Sequence, residues 1–121
     1  MGAFDHAHTI PPQRIWEGVT GRAVHGAEVT LSLIELEPGA EVPEHSHANE
    51  QLGILIQGSV AFRIGGEEGE LTPGGTWCIL AHVPHSVRAG PEGAVAAEVF
   101  APPRLDWQVA ERQAPGPGRW P

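Results

Sequence analysis

The chain has 121 residues, 40% of them hydrophobic, with a formal charge of −8 and seven cations that are all arginine. That length holds one domain with a self-supporting core and excludes two. The acidic balance and the lack of a basic stripe argue against nucleic acid, and no run nears the ~18 apolar residues of a membrane span, so neither is expected as a partner.

Residues 1 to 14 contain Pro11-Pro12 and no periodic pattern, and are expected to form an N-terminal arm. The opening Met1-Gly2-Ala3-Phe4-Asp5 lacks the basic start and apolar run of a signal peptide. With Cys78 the only cysteine, no intrachain disulfide can form. A cytoplasmic location is the resulting expectation.

From Ile15 to Glu37 apolar and polar residues alternate, most clearly in Val29-Thr30-Leu31-Ser32-Leu33, the pattern of a half-buried strand. Pro38-Gly39 closes it. Gln51 to Gln57 is a nearly continuous apolar run, and Gly58 predicts a hairpin into Val60 to Ile64. Gly65-Gly66 predicts a second hairpin into Glu70-Leu71. Pro73-Gly74-Gly75 is a turn before a strand from Thr76 to Leu80, in which Cys78 is expected to be a buried packing residue. Ser86 to Ala89 is a further strand, Gly90-Pro91-Glu92-Gly93 a turn, and Ala94 to Phe100 the last strand. Leu105 to Gln113 is compatible with a brief helix. The tail from Ala114 to Pro121 is expected to be disordered or to lie across a neighbour. Short strands at this spacing predict an all-β barrel or sandwich, with the barrel over 15–104 and a short helix and Pro/Gly-rich tail over 105–121.

The chemistry-bearing cluster begins with His45 and His47. On an extended strand an i, i+2 spacing puts both imidazoles on one face. Gln51 shares their parity and Glu50 does not, so the amide, and not the adjacent carboxylate, is selected as the third metal ligand. His85, held by the preceding Pro84, is the fourth. Such a set suits one divalent transition metal ion: zinc, nickel, iron, manganese or copper. A neutral Gln51 leaves the full dipositive charge on the site, which favours Lewis-acid action over a high oxidation state. His6-Ala7-His8 has the same spacing, but no ligand follows it at the right distance and no strand surrounds it; it is expected to be inert.

Gly39, five residues, His45-Ser46-His47, three residues, Gln51, six residues and Gly58 together resemble the first cupin motif, and Val83-Pro84-His85-Ser86-Val87 resembles the second. The resemblance implies a cupin-type double-stranded β-helix, a jelly-roll barrel. His45-Ser46-His47-Ala48-Asn49-Glu50-Gln51 and Glu98-Val99-Phe100-Ala101-Pro102-Pro103-Arg104 look like segments of the cupins of pectin and alginate breakdown, which ketonise 4,5-unsaturated monouronates. Carried over position by position, that likeness implies that Glu98, Phe100 and Arg104 are the functional acid, aromatic and arginine. Glu98 stands where those proteins typically have aspartate, Ala81-His82 replaces their Gly-Asn, and the chain has no tyrosine.

The implied function is metal-dependent ketonisation of an unsaturated uronate or related enolisable sugar acid, with a small, anionic substrate. A dioxygenase acting on an enol or diketone, and a non-catalytic module that holds metal or sugar acid, are the rival readings. The resemblance also implies a homodimer, paired through edge strands or exchanged arms. Trp16, Trp107 and Trp120 flank the barrel as candidate interface residues, and His82 is read as a loop histidine near the opening.

Overall fold

The structure is a computed structural model that describes residues 2–109, 112–116 and 118–120. Among these residues eight strands follow in order: β1 (Gln13–Trp16), β2 (Val19–His25), β3 (Thr30–Leu36), β4 (Glu41–His45), β5 (Glu50–Ile64), β6 (Glu67–Leu71), β7 (Thr76–Ile79) and β8 (His85–Ala101). Every pairing is antiparallel. The all-β jelly-roll expectation is met, and of the brief helix expected over Leu105 to Gln113 the described residues show a 3-10 turn, Leu105–Val109, residues 110 and 111 lying outside the described residues. No helix among the described residues is long and apolar enough to cross a membrane.

Two long strands make the barrel. The second half of β8 pairs with β3 and with the first half of β5, which in turn pairs with β7. The first half of β8 pairs with β4 and with the second half of β5, which carries β6. Each long strand therefore belongs to both layers, and the core lies between them. Ile34, Leu55, Phe62, Trp77, Ile79 and Phe100 fill it.

The crossing corrects two expectations. Gly58 does not end a strand in a hairpin, and residues 90–93 do not form a turn between strands. β5 continues through Gly58, β8 continues through Gly90 to Gly93, and the register jumps from Gly58↔Ala94 to Val60↔Ala89. Both strands bend here with a bulge. Gly58 has φ of 80°, and a methyl group on it would sit 2.0 Å from the Gly93 carbonyl oxygen. Glycine is what lets the two backbones approach while turning from one layer into the other.

Inside–outside alternation accounts for the rest. Along β7, Trp77 and Ile79 face inward, so Cys78 is exposed, contrary to the expectation of burial. Along β5, Gln51 and Leu55 point in, while Leu52 and Ile54 point out although they are just as apolar. The first strand starts at Gln13, inside the stretch read as arm. The tail, expected to be loose or to lie on a neighbour, returns to its own barrel in its described part. There the Arg119 guanidinium donates to the carbonyls of Leu36 and Ala94 at 2.6 and 2.8 Å, and its amide donates to Glu35.

Candidate metal centre

His45 closes β4 and His85 opens β8, and the two are direct cross-strand partners with ring centroids 4.3 Å apart. His47 reaches them differently. It lies in the bend between β4 and β5 and not on a strand, so the shared face expected from strand parity is produced by a loop. That loop is pinned: the His82 amide donates to the His47 carbonyl at 2.8 Å, and Asn49 Nδ2 donates to the Pro102 carbonyl at 2.5 Å. His82 itself is exposed, with φ of 66°. Gln51, one residue into β5, is buried and shares the cavity with His45 and His85, whereas Glu50 is exposed.

One device orients all three rings. His45 Nδ1 bonds the Pro43 carbonyl at 2.8 Å, His47 Nδ1 the Asn49 carbonyl at 2.9 Å, and His85 Nδ1 the Val83 carbonyl at 2.9 Å. A carbonyl only accepts, so each Nδ1 carries the hydrogen and each Nε2 is left with a lone pair. The ligand nitrogens of the three rings lie within 4.8 Å of one another. An ion about 2.1 Å from each requires separations near 3 to 3.5 Å, a modest contraction.

Two observations test whether a cation fits. His85 Nε2 is buried and has no hydrogen-bond partner. His47 Nε2, an acceptor by the tautomer just derived, faces the Gln51 Oε1 acceptor at 3.1 Å. Two lone pairs set against each other, beside an orphaned third, are costly without a shared positive centre. The donor set fits a divalent transition metal.

Burial keeps two of the rings, His47 and His85, neutral and ready to ligate. It pushes His85 down to about 4, aided by the charges of His45, His47 and Arg104. It also lowers His47, with Arg104 as the next cause. Trp16 lies against His45 at the rim, with ring centroids 5.3 Å apart.

The second group of expected residues adjoins the first. Glu98 and Phe100 are both buried on the inner face of β8, while Val99 faces out. Glu98 Oε2 accepts from Gln51 Nε2 and, at 2.8 Å, from Trp77 Nε1. Burial pushes the Glu98 carboxyl up; these two donors and Arg104 pull against it. Phe100 meets His47 edge-on at 6.0 Å and Trp107 at 4.9 Å.

Arg104 lies between two rings, its guanidinium carbon 4.8 Å from the Phe100 centroid and 4.3 Å from that of Trp107. Its Nε and Nη2 donate to Asp106 at 3.1 and 2.9 Å. Its backbone amide donates to the buried Thr30 hydroxyl at 3.0 Å.

The sequence reading missed Trp77 as a partner of the acid, Asn49 as a clamp, and Trp107 as a buried wall rather than an interface residue. Strand alternation alone places Trp77 inside. Its bond to Glu98 depends on a strand pairing that no local pattern reveals.

The cupin domain family model matches residues 32–100. Among solved structures, KdgF from Halomonas sp. superposes with a TM-score of 0.80 at 24% identity, over 88% of this chain and 98% of that one. An RmlC-like cupin from Shewanella frigidimarina NCIMB 400 gives 0.81 at 23% identity, over 88% and 96%. A variant of oxalate decarboxylase from Bacillus subtilis gives 0.71 at 23% identity, over 84% of this chain and 31% of that one. No curated protein matches the chain. At these identities the structural likeness speaks for the fold alone.

Proposed function

The chain belongs to the cupin family, and we propose that it is a metal-dependent enzyme that ketonises a 4,5-unsaturated uronate or a closely related enolisable sugar acid. The observation that carries this reading is the convergence of three imidazole Nε2 atoms and the Gln51 amide oxygen beside one buried acid, Glu98, and one arginine, Arg104. The likeness of the His45–Gln51 and Glu98–Arg104 segments to the uronate-ketonising cupins supports it.

In this proposal His45, His47, Gln51 and His85 hold one divalent ion, which when bound supplies a Lewis acid toward the oxygen that becomes the keto group. The ring-opening is an isomerisation. The anomeric hydroxyl loses its proton as the bond from the anomeric carbon to the ring oxygen breaks. The former hydroxyl becomes an aldehyde carbonyl, the released pair passes to the ring oxygen, and as that oxygen forms the keto C=O the alkene π pair moves to the distal carbon, which takes up a proton. No net proton is consumed, so one group that accepts and then returns a proton suffices. Glu98 is that group: its raised pKa brings it nearer the range where a carboxyl exchanges protons readily at neutral pH. Arg104 orients the substrate carboxylate through Nη1, since Nε and Nη2 are taken by Asp106. Phe100 and Trp107 exclude water from the reacting end.

The test is purified protein mixed with an unsaturated monouronate, following the loss of its ultraviolet absorbance with and without added metal. Metal-dependent loss that is abolished in Glu98→Gln supports the reading. Absence of turnover with any first-row divalent ion overturns it. Oxygen uptake on an enol or diketone would replace it with a dioxygenase, and stoichiometric ligand recovered unchanged would replace it with a binding module.

We also propose that two copies pair through the outer face of the sheet. Val24, Leu31, Val99, Leu52 and Cys78 form one uncharged row across five neighbouring strands, with Ile54 beside it. Contiguous exposed apolar patches of this kind mark protein interaction faces more often than bare solvent surface. Sedimentation of Leu52→Glu should show monomer where the parent shows dimer; a monomeric parent overturns this pairing.

A further inference from the structure

Trp77, Gly53 and Glu98 occupy one row on three adjacent strands: Gly53 of β5 is paired with Trp77 of β7 on one side and with Glu98 of β8 on the other. Neighbouring strands lie about 4.8 Å apart, so a group on β7 touches one on β8 only by crossing β5. The indole does this. A methyl group on Gly53 would stand 2.2 to 2.4 Å from the Trp77 ring atoms, which means the ring lies where a side chain at position 53 would be. From there Nε1 donates to Glu98 Oε2 at 2.8 Å, and Phe62 backs the ring at 4.7 Å between centroids.

We infer that Trp77 is a positioning residue, holding Glu98 so that Gln51 turns its carbonyl oxygen, and not its amide nitrogen, toward the three histidines. The inference rests on the ligand set proposed above. An amide has one accepting end and one donating end, and only the oxygen ligates a metal. Glu98 Oε2 takes the donating end of Gln51. The flipped amide would set its oxygen against that carboxylate oxygen, acceptor against acceptor. With the donating end so engaged, Gln51 Oε1 is left facing His47 Nε2 at 3.1 Å. Glu98 selects the amide's sense only while it stays in place, and the indole, itself able to reach only because residue 53 lacks a side chain, keeps it there. Carboxylates and amides that orient a ligand from behind typically change metal affinity 10- to 100-fold when removed.

Three variants test this. Trp77→Phe keeps a ring against Phe62 and removes the N–H; Gly53→Ala puts a methyl group where the indole lies; Glu98→Gln removes the selectivity for one sense of the amide. Zinc affinity is read by competition with a chromophoric chelator, and the Gln51 side-chain amide resonances are read in the metal-free protein. The expected result is an approximately tenfold weaker affinity in Trp77→Phe and in Gly53→Ala, with shifted Gln51 resonances in both. In the Glu98→Gln background, Trp77→Phe should cost nothing further, because the two act in one chain; a merely structural tryptophan would add its cost independently. Unchanged affinity and unmoved Gln51 resonances in Trp77→Phe overturn the inference, as does additivity with Glu98→Gln. If the parent binds no divalent ion, the ligand-set reading fails, and the Gln51 resonances alone decide whether Trp77 sets the amide. Should Trp77→Phe not fold, Gly53→Ala carries the same expectations with the tryptophan retained.

Discussion

Replacing Gln51 by glutamate puts a second carboxyl against Glu98, which now accepts the Gln51 amide. Two ionised carboxylates about 3 Å apart repel by about 5 kcal/mol at an effective dielectric constant of ~20. Keeping one of them protonated at pH 7 costs less, about 4 kcal/mol against an ordinary glutamate value near 4.3. The cheaper route wins, so the metal-free variant should hold a proton that the unfolded chain releases. The sign follows from that. The pair's folded pKa is raised, so its contribution is intact below about pH 4 and stability is lost as pH rises toward 7. Between pH 5 and 7 the variant should lose roughly 3 kcal/mol more than the parent, or about 10 °C in Tm for a chain of this length. A bound dication should reverse the order, because the added carboxylate attracts it. Melting curves at pH 5 and 7, with and without zinc, measure all of this. If the metal-free variant melts with the parent at both pH values, Gln51 and Glu98 are not in contact and the arrangement of the site is wrong.

Saturating metal at about a hundredfold over its Kd should stabilise the parent by about 2.7 kcal/mol, a rise of roughly 10 °C in Tm. His85→Ala should abolish that rise, and a retained rise would locate the ion elsewhere. The metal-free protein should also lose stability in acid. His85 falls to about 4 in the fold, below its ordinary value, so its neutral ring supports the fold fully above pH 6.5 and loses about 3 kcal/mol as pH drops through 4. His85→Asn should flatten that part of the stability profile, and an unchanged profile would contradict the burial argument. Gly58→Ala should cost more than about 3 kcal/mol in urea unfolding, since a Cβ at positive φ meets a carbonyl oxygen at 2.0 Å. A cost under 1 kcal/mol would mean that β5 and β8 do not cross as described.

The proposed ligand residues were legible because their pattern is local: three of the four lie within seven residues, and a spacing rule finds them. Parity placed Gln51 inside and Glu50 outside, as the structure does, yet His47 arrives through a bend and not along a strand. Alternation in Glu98-Val99-Phe100 was equally readable, and the acid and ring do share the inner face. Glycine was ambiguous. Gly58 and Gly90 to Gly93 carry turn chemistry, but a turn and a bulge need the same backbone freedom. Only the pairing of β5 and β8 on both flanks keeps the strands running through. Cys78 shows the converse: its residue type suggested burial, while the inward Trp77 and Ile79 on either side fix it outside. Trp77 itself was illegible as a partner of Glu98, because their contact spans three strands, crossing β5, and requires an empty position at Gly53.

On the proposed ligand set, the charge of the site would favour one class of substrate. Three imidazoles and an amide contribute no negative charge, so an ion on the proposed ligands keeps both of its positive charges. The imidazoles add no charge of their own, since burial disfavours protonating His47 or His85. Arg104 adds a positive charge that Asp106 cancels at 2.9 Å, leaving Glu98, among the described residues, as the anion in direct contact with a proposed ligand. One positive unit is left uncompensated inside an apolar barrel, where a stray charge is expensive. A neutral sugar leaves that cost standing and a dianion overshoots it. A single carboxylate within reach of the ion and of Arg104 Nη1 would cancel it, and that is the charge of the monouronate proposed as substrate.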